Sequence, residues 1–419
     1  MKISKFFAAC VLFITSIGSI CAQNGTMTPY SAYGYGMLRD HATSTQRSMG
    51  GVGYAMNSGR QINVMNPASY AMIDSLTFLF DMGIDVTALW QEENQNGTRV
   101  SDNDFGGGLD YATMQFPLGK YMGASVGILP YSATGYSFGS KIDNGIDSRQ
   151  GNGSLNELYL GLAGRPFKGF SVGFNISYLF GTVINETYAQ ISSAQSSLFQ
   201  TQMVVRDFHL NFGAQYSMMF NKGDKLTAGL TYSPEKTLLG TARQVNYDTS
   251  MDSEPQFSDE HKLRDNYSLP ETWGAGINYT WQRRLMVEFD YTFQPWSKAK
   301  FRGFTDSQTK AFSFADRSKY ALGLQFTPDN RGSYLKRINY RLGGYWCDDY
   351  LKLQGNQLRE YSVSAGFGFP VPSFKTTVNL GFEWVHRQAH PNPLIKENYL
   401  NITLGINFNE MWFWQRKIN

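Results

Sequence analysis

Near the C-terminus, Leu400, Ile402, Leu404, Ile406 and Phe408 alternate with Asn401, Thr403, Gly405 and Asn407. A period of two puts the first set on one face of a β-strand and the second on the other. The pattern recurs along the chain. Val172, Phe174, Ile176 and Tyr178 alternate with Ser171, Gly173, Asn175 and Ser177, and Val378, Leu380, Phe382 and Trp384 with Thr377, Asn379, Gly381 and Glu383. Segments of this kind begin near residues 76, 108, 121, 155, 169, 204, 224, 271, 285, 318, 336, 359, 374 and 397, which predicts fourteen strands. A soluble β-sandwich alternates too. Strand length separates the two, because about 9 to 11 residues are needed to cross a bilayer, and many of these segments reach that and end in Tyr, Trp or Phe.

The connections alternate in length as well. Residues 117–120, 164–168, 221–224, 281–284 and 370–373 read as short turns, whereas 132–153, 184–202, 235–268 and 295–317 read as long loops rich in Ser, Asn, Asp and Gly. An even number of strands with short turns at one end and long loops at the other is the layout of a bacterial outer-membrane barrel. The fold expected is all-β: a 14-stranded antiparallel transmembrane β-barrel with both termini in the periplasm of a Gram-negative cell.

Composition agrees with this. Aromatic residues are 15% of the chain and glycines number 42, while charged residues are only 17%. After residue 22 no apolar run approaches the length of a membrane helix, so any membrane crossing must use strands. The first residues read as a secretory signal: Lys2 and Lys5, an apolar run from Phe6 to Ile20, then Ala22. Cys21 follows Ile20, where a lipoprotein signal wants a small residue, so cleavage after Ala22 is expected instead. Cleavage removes Cys10, Cys21 and two lysines, leaving Cys347 as the only cysteine and 35 bases against 34 acids. No internal disulfide can form, and nothing in the charge points to nucleic acid.

Fourteen strands enclose more space than their own side chains fill. The expected organisation is therefore a signal peptide over residues 1–22, an N-terminal plug or hatch over 23–75, and the barrel over 76–419. The hatch segment carries compact-turn signals at Met49-Gly50-Gly51-Val52-Gly53 and Asn66-Pro67-Ala68. Asp81, Asp85, Glu288, Asp290, Arg341 and Glu383 fall at inward positions, where a charge needs a bond to the plug or to water.

These features resemble the family of FadL-type outer-membrane transporters, which carry long-chain fatty acids and other hydrophobic molecules. The resemblance rests on the layout and on Arg47-Ser48-Met49-Gly50-Gly51-Val52-Gly53-Tyr54-Ala55, followed by Asn63-Val64-Met65-Asn66-Pro67-Ala68-Ser69-Tyr70 just before strand one. The endings around Tyr361–Pro370 and Trp412-Phe413-Trp414 look like the Bacteroidetes branch of that family. The resemblance implies passive uptake of a hydrophobic small molecule. The solute would be released sideways into outer-membrane lipid through a kink in strand three, beside Asn66, Pro67 and Ala68. Lateral exit spares the solute a return to water, at about 0.8 kcal/mol per methylene. Strand three, read as residues 121–131, contains Gly123, Gly127 and Pro130; Pro130 lacks a ladder donor and either kinks the strand or ends it at the rim. Tyr30, Tyr33, Tyr35, Met37 and Met65 are candidates for an apolar ligand pocket or for packing against the wall. The inward acids leave no continuous apolar tunnel visible from the alternation.

Catalytic chemistry is not indicated. His41, His209, His261, His386 and His390 lack metal-site spacing, and Gly50-Gly51-Val52-Gly53 lacks the Lys-Ser/Thr of a phosphate loop. No nucleophile stands out, so neither enzyme activity, cofactor nor metal is expected. The rival reading, within the same family resemblance, is a shuttle or binding component of a protein secretion system, with a cell-surface or secretion partner held on the loops. A structural barrel without transport is a third.

Overall fold

A computed structural model describes residues 28–95, 97–142, 145–191, 195–220, 223–248, 256–303, 312–372 and 375–411; the expected signal peptide and Trp412-Phe413-Trp414 lie outside them. Fourteen strands form the wall: β1 (Thr77–Gln95), β2 (Thr98–Pro117), β3 (Met122–Ile142), β4 (Gly145–Phe167), β5 (Phe170–Ile191), β6 (Gln195–Met219), β7 (Lys225–Ser233), β8 (Thr272–Trp281), β9 (Leu285–Gln294), β10 (Arg317–Phe326), β11 (Asn339–Leu353), β12 (Asn356–Pro370), β13 (Thr377–His390) and β14 (Ile395–Met411). Each pairs antiparallel with the next, and β14 pairs with β1 from Met411–Thr77 to Ile395–Glu93, closing the barrel.

Alternation decides which side chain faces which solvent. Ile277, Phe289 and Leu322 stand at one level on β8, β9 and β10 and are about half exposed, as are Phe105, Leu109, Phe174, Phe212 and Leu342 elsewhere on the outside. Such a belt would be unstable in water and is suited to hydrocarbon. The opposite parity is polar and buried, with Thr113, Asn175, Gln215, Thr231, Ser364 and Asn407 among its members.

Two of the expected long loops are strand instead. The segments 132–153 and 184–202 continue β3 into β4 and β5 into β6 as long hairpins, with register running out to Ile142–Gly145 and Ile191–Gln195. Accordingly β2, β4 and β6 start about ten residues before the positions expected from the alternation. Above the membrane both faces meet water, so the two-fold hydrophobic signal stops while the backbone ladder continues. The connection 235–268 also contains strand: Gly240–Asp248 pairs with the outer part of β6 and with Gln256–Lys262. The extended ends of β3 to β6 and these two strands make a sheet that stands beyond the barrel on the long-loop side.

Candidate functional site

Residues 28–74 lie against the inner wall. Their local structure is short and turn-rich: 3-10 turns at Pro29–Ala32 and Pro67–Met72, a single helical turn at Ser44–Arg47, and a two-residue strand at Met37–Leu38. Gln46 closes the helical turn by accepting from the Thr43 N–H at 2.8 Å, and its amide donates to Asn63, which in turn donates to the Gly53 and Met56 carbonyls. Gly50 and Gly51 both have φ above +70°, which only glycine adopts without strain. This internal bonding shapes the segment before the wall is considered.

The wall then holds it through inward polar groups. The Asp290 carboxylate accepts from the Gly53 and Tyr54 N–H groups at 2.6 and 2.9 Å, and Glu288 accepts from the Ala55 N–H at 2.9 Å. Tyr111 OH accepts from the Ser44 N–H at 2.8 Å and donates to Asp81, while Ser364 accepts from the Gly50 N–H. Arg39 pairs with Asp85, Arg47 with Asp110, and Asp40 with both Arg317 and Lys319. Partial burial opposes ionisation of Asp40, but the two cations outweigh it and hold its carboxyl well below the usual range. Glycines make room for the close approach: a Cβ on Gly213 would lie 2.1 Å from Asn66 Oδ1, and one on Gly229 1.9 Å from the Tyr54 carbonyl. Of the inward charges picked out from the alternation, Asp85, Glu288 and Asp290 bond this segment directly. Asp81 does so through Tyr111. Arg341 bonds Asn379 and Gln325, and Glu383 bonds Asn401, within the wall.

The wall is not continuous between β2 and β3. They pair only from Pro117–Gly123 to Ala112–Ile128. Beyond that point β2 continues from Tyr111 back to Thr98 bonded to β1 alone, and β3 continues from Leu129 to Ile142 bonded to β4. Each strand has a bulge beside the parting, at Asp110 in β2 and at Tyr131 in β3. A bulge sharpens the local twist and re-aims the strand, so two of them facing one another drive the edges apart. The edge of β3 is covered from within, where Met37 and Leu38 pair with Ala133 and Ser132 and the Arg39 and Thr28 N–H groups donate to the Tyr131 and Gly135 carbonyls. Among the described residues the β2 edge has no such cover. The parting begins inside the lipid belt, since Phe105 and Leu109 are each 59% exposed beside it.

Above the parting sits an aromatic cluster. Tyr35 packs on Trp296, Phe301 and Phe314, and Tyr350 packs on Trp296 and Phe314. Tyr35 OH donates to the Ser268 and Lys300 carbonyls, tying the N-terminal segment to the outer connections. Beside this cluster is a cavity of about 350 Å³, whose lining mixes apolar groups, among them Tyr33, Phe138, Met203 and Phe312, with polar ones, among them Arg149, Asn185, Gln202 and Arg302. Below it, two smaller cavities of about 120 and 100 Å³ flank Leu38–Asp40; charged groups including Arg47, Glu360 and Arg387 line the first, and His209 and Glu157 the second. His41 and His209 approach the two oxygens of Glu157 at 3.8 and 3.3 Å, a grouping across 168 residues that spacing alone does not reveal.

The residues singled out from the sequence divide accordingly. Tyr30, Tyr35 and Met37 are buried in one apolar cluster, with Tyr33 packed on it, whereas Met65 lies apart with Ala42 and Tyr54. Asn66 and Pro67 sit against β5, β6 and β7 rather than beside β3: Asn66 donates to the Ala214 and Leu230 carbonyls, and Pro67 meets Gly173. Ala68 is fully buried. The 3-10 turn carries the chain onward so that it is Tyr70 whose carbonyl meets Gly123. Gly127 lies where a Cβ would strike Ala112 and Thr113 on β2, in the last paired stretch. Pro130 does not end β3, which runs eleven residues past the expected 131, with a register shift between Pro130 and Ser132. The sequence reading missed the β2 side, Gly106-Gly107-Gly108 and Asp110. Three glycines in a strand interior, followed by an acid that breaks the alternation, are the signal that marked it.

No curated protein matches the sequence. Solved structures with the same architecture include the Pseudomonas putida toluene transporter TodX (12% identity over 88% of this chain and 98% of that one, TM-score 0.61). A Pseudomonas aeruginosa FadL homologue (11%, 89% and 99%, TM-score 0.60) and the Ralstonia pickettii toluene transporter TbuX (13%, 88% and 98%, TM-score 0.58) are similar to the same extent. At such identity the likeness is one of fold, that of the FadL-type barrels. The BamG family model matches residues 2–419, and the chain therefore belongs to the BamG family.

Proposed function

We propose that this barrel admits hydrophobic small molecules passively across the outer membrane, with residues 23–75 acting as its hatch. The observation that carries this reading is the parting of β2 from β3 at membrane depth. The lumen below is filled by the N-terminal segment and a charged network that an apolar solute would have to desolvate. The cavity beside the aromatic cluster is of a size that holds small ligands. Long-chain fatty acids and monoaromatic compounds both suit that chemistry; the similar structures titled toluene transporters and FadL homologue support the class. The apolar belt on either side of the parting supports bilayer release of the solute rather than periplasmic release.

The test is uptake by liposomes holding the purified chain, with oleate and toluene as probes. Gly108 borders the parting, and a Cβ there meets nothing within 4 Å. Gly108→Trp is expected to abolish uptake while leaving the barrel folded. Uptake at the wild-type rate through this variant, or none above empty vesicles in the wild type, overturns the proposal. The sheet that stands beyond the barrel favours the second reading, a surface for a cell-surface or secretion partner. That reading requires a soluble protein to bind the chain and to lose binding when residues 240–262 are deleted.

A further inference from the structure

At the short-turn end, the turns with their flanking strand ends cover residues 117–122, 164–170, 219–225, 281–285, 326–339 and 370–377. Every one of the six carries a base. The first three hold Lys120, Arg165, Lys168 and Lys225. The next three hold Arg283, Arg284, Arg331, Lys336, Arg337 and Lys375. Against these ten, the described residues of the same turns hold two acids, Asp224 and Asp329. None of the ten bases is in an ion pair among the described residues; Lys225 faces the lumen and donates to the Asn57 carbonyl at 2.8 Å, which leaves nine directed to the rim. One hairpin of the opposite rim, β1–β2, has the reverse balance, with Glu92, Glu93, Asp102 and Asp104 against Arg99.

The same short turns expose apolar side chains outward. Leu118, Tyr121 and Met122 are each about half exposed, Phe167 is 59% exposed, Leu335 67% and Met219 76%. Bases lie directly over the aromatic rings: Lys120 and Arg165 at 5.3 and 5.4 Å from the centre of the Tyr121 ring, and Arg337 at 5.7 Å from that of Tyr334. An aromatic ring at the membrane interface with a cation just outside it matches the depth order of a phospholipid, acyl chain then phosphate. We infer that this rim is a binding ring for anionic phospholipids of the periplasmic leaflet, whose phosphates the turn bases engage.

A lipid ring accounts for the distribution better than an acidic protein does. A protein partner covers one arc, whereas the bases occupy all six turns of the circumference, five of them beside exposed apolar side chains. Each base near an anionic surface contributes roughly a five-fold preference, and the preference collapses where salt screens it.

The experiment reconstitutes the full chain in phosphatidylcholine vesicles and reads, by electron spin resonance, the association of spin-labelled phosphatidylglycerol relative to spin-labelled phosphatidylcholine. The expected ratio is about five at low salt and falls toward one in roughly 1 M salt, where the screening length is about 3 Å. Replacing Arg283, Arg284, Lys336 and Arg337 with Gln is expected to lower the ratio at low salt, whereas Asp102→Asn with Asp104→Asn at the other rim leaves it unchanged. A wild-type ratio of one at low salt overturns the inference, as does a ratio insensitive to salt or equal in the four-base variant. A ratio of one together with salt-sensitive binding of polyglutamate overturns it in favour of an acidic protein partner. The salt titration of the wild type decides the matter if the variant fails to fold.

Discussion

Asp290→Ala tests whether the wall, rather than the segment's own turns, keeps residues 49–56 in place. The substitution removes the acceptor of two buried N–H groups, those of Gly53 at 2.6 Å and Tyr54 at 2.9 Å. A buried donor left without a partner costs about 1–3 kcal/mol, so two cost about 2–6 kcal/mol. The middle of that range is about 4 kcal/mol. Glu288 still holds the Ala55 N–H, and the fourteen-strand ladder is untouched, so the loss is local. At 1.4 kcal/mol per tenfold, amide exchange across residues 49–56 should quicken by about a thousand-fold, while the amides of β12 and β13 keep their protection. Exchange followed by mass spectrometry on the folded barrel reads both regions at once. Protection of 49–56 within tenfold of the wild type would refute the wall's role. Equal loss in β12 and β13 would refute its locality. Asp290→Asn keeps one neutral acceptor and is expected to fall between the two.

Tyr111→Phe strips the acceptor from the Ser44 N–H and a donor from Asp81; a loss of about 1–3 kcal/mol in protection of the Ser44–Arg47 turn is expected by the same exchange measurement. Gly213→Val drives a side chain into Asn66 Oδ1 and Pro67, and overpacking of about 1–3 kcal/mol should release Pro67–Met72 to protease while the barrel remains resistant to unfolding in cold detergent. Asp40 sets a pH window. Its folded carboxyl titrates below the unfolded value, so its contribution is complete above about pH 4 and is lost only as pH falls through the depressed folded value. The difference in protease resistance of residues 37–47 between the wild type and Asp40→Asn should thus stay constant from pH 7 to about pH 4. A difference that shrinks between pH 7 and 5 would refute the role given to Asp40.

The alternation of side chains determined the strand number, the polar lining and the lipid belt, because each depends only on which face a residue takes at period two. Residues 400–408 show this most directly. The inward position of Glu288 and Asp290 was legible for the same reason, but their partners were not: the N–H groups of Gly53, Tyr54 and Ala55 lie more than 230 residues away in sequence and carry no side-chain signature. The hairpin extensions of β3 to β6 escaped the pattern because backbone bonds persist where both faces are wet.

Tertiary structure alone decided the parting of β2 from β3. Pro130 and the glycines of β2 mark places where a strand can bend, yet a bend becomes an opening only if the neighbour bends the other way at the same height. That depends on register: the bulge at Asp110 and the bulge at Tyr131 stand just beyond the last pair, Ala112–Ile128. Register is a relation between two strands, set by the turn that joins them and by the segment docked inside. No single stretch of the chain contains it.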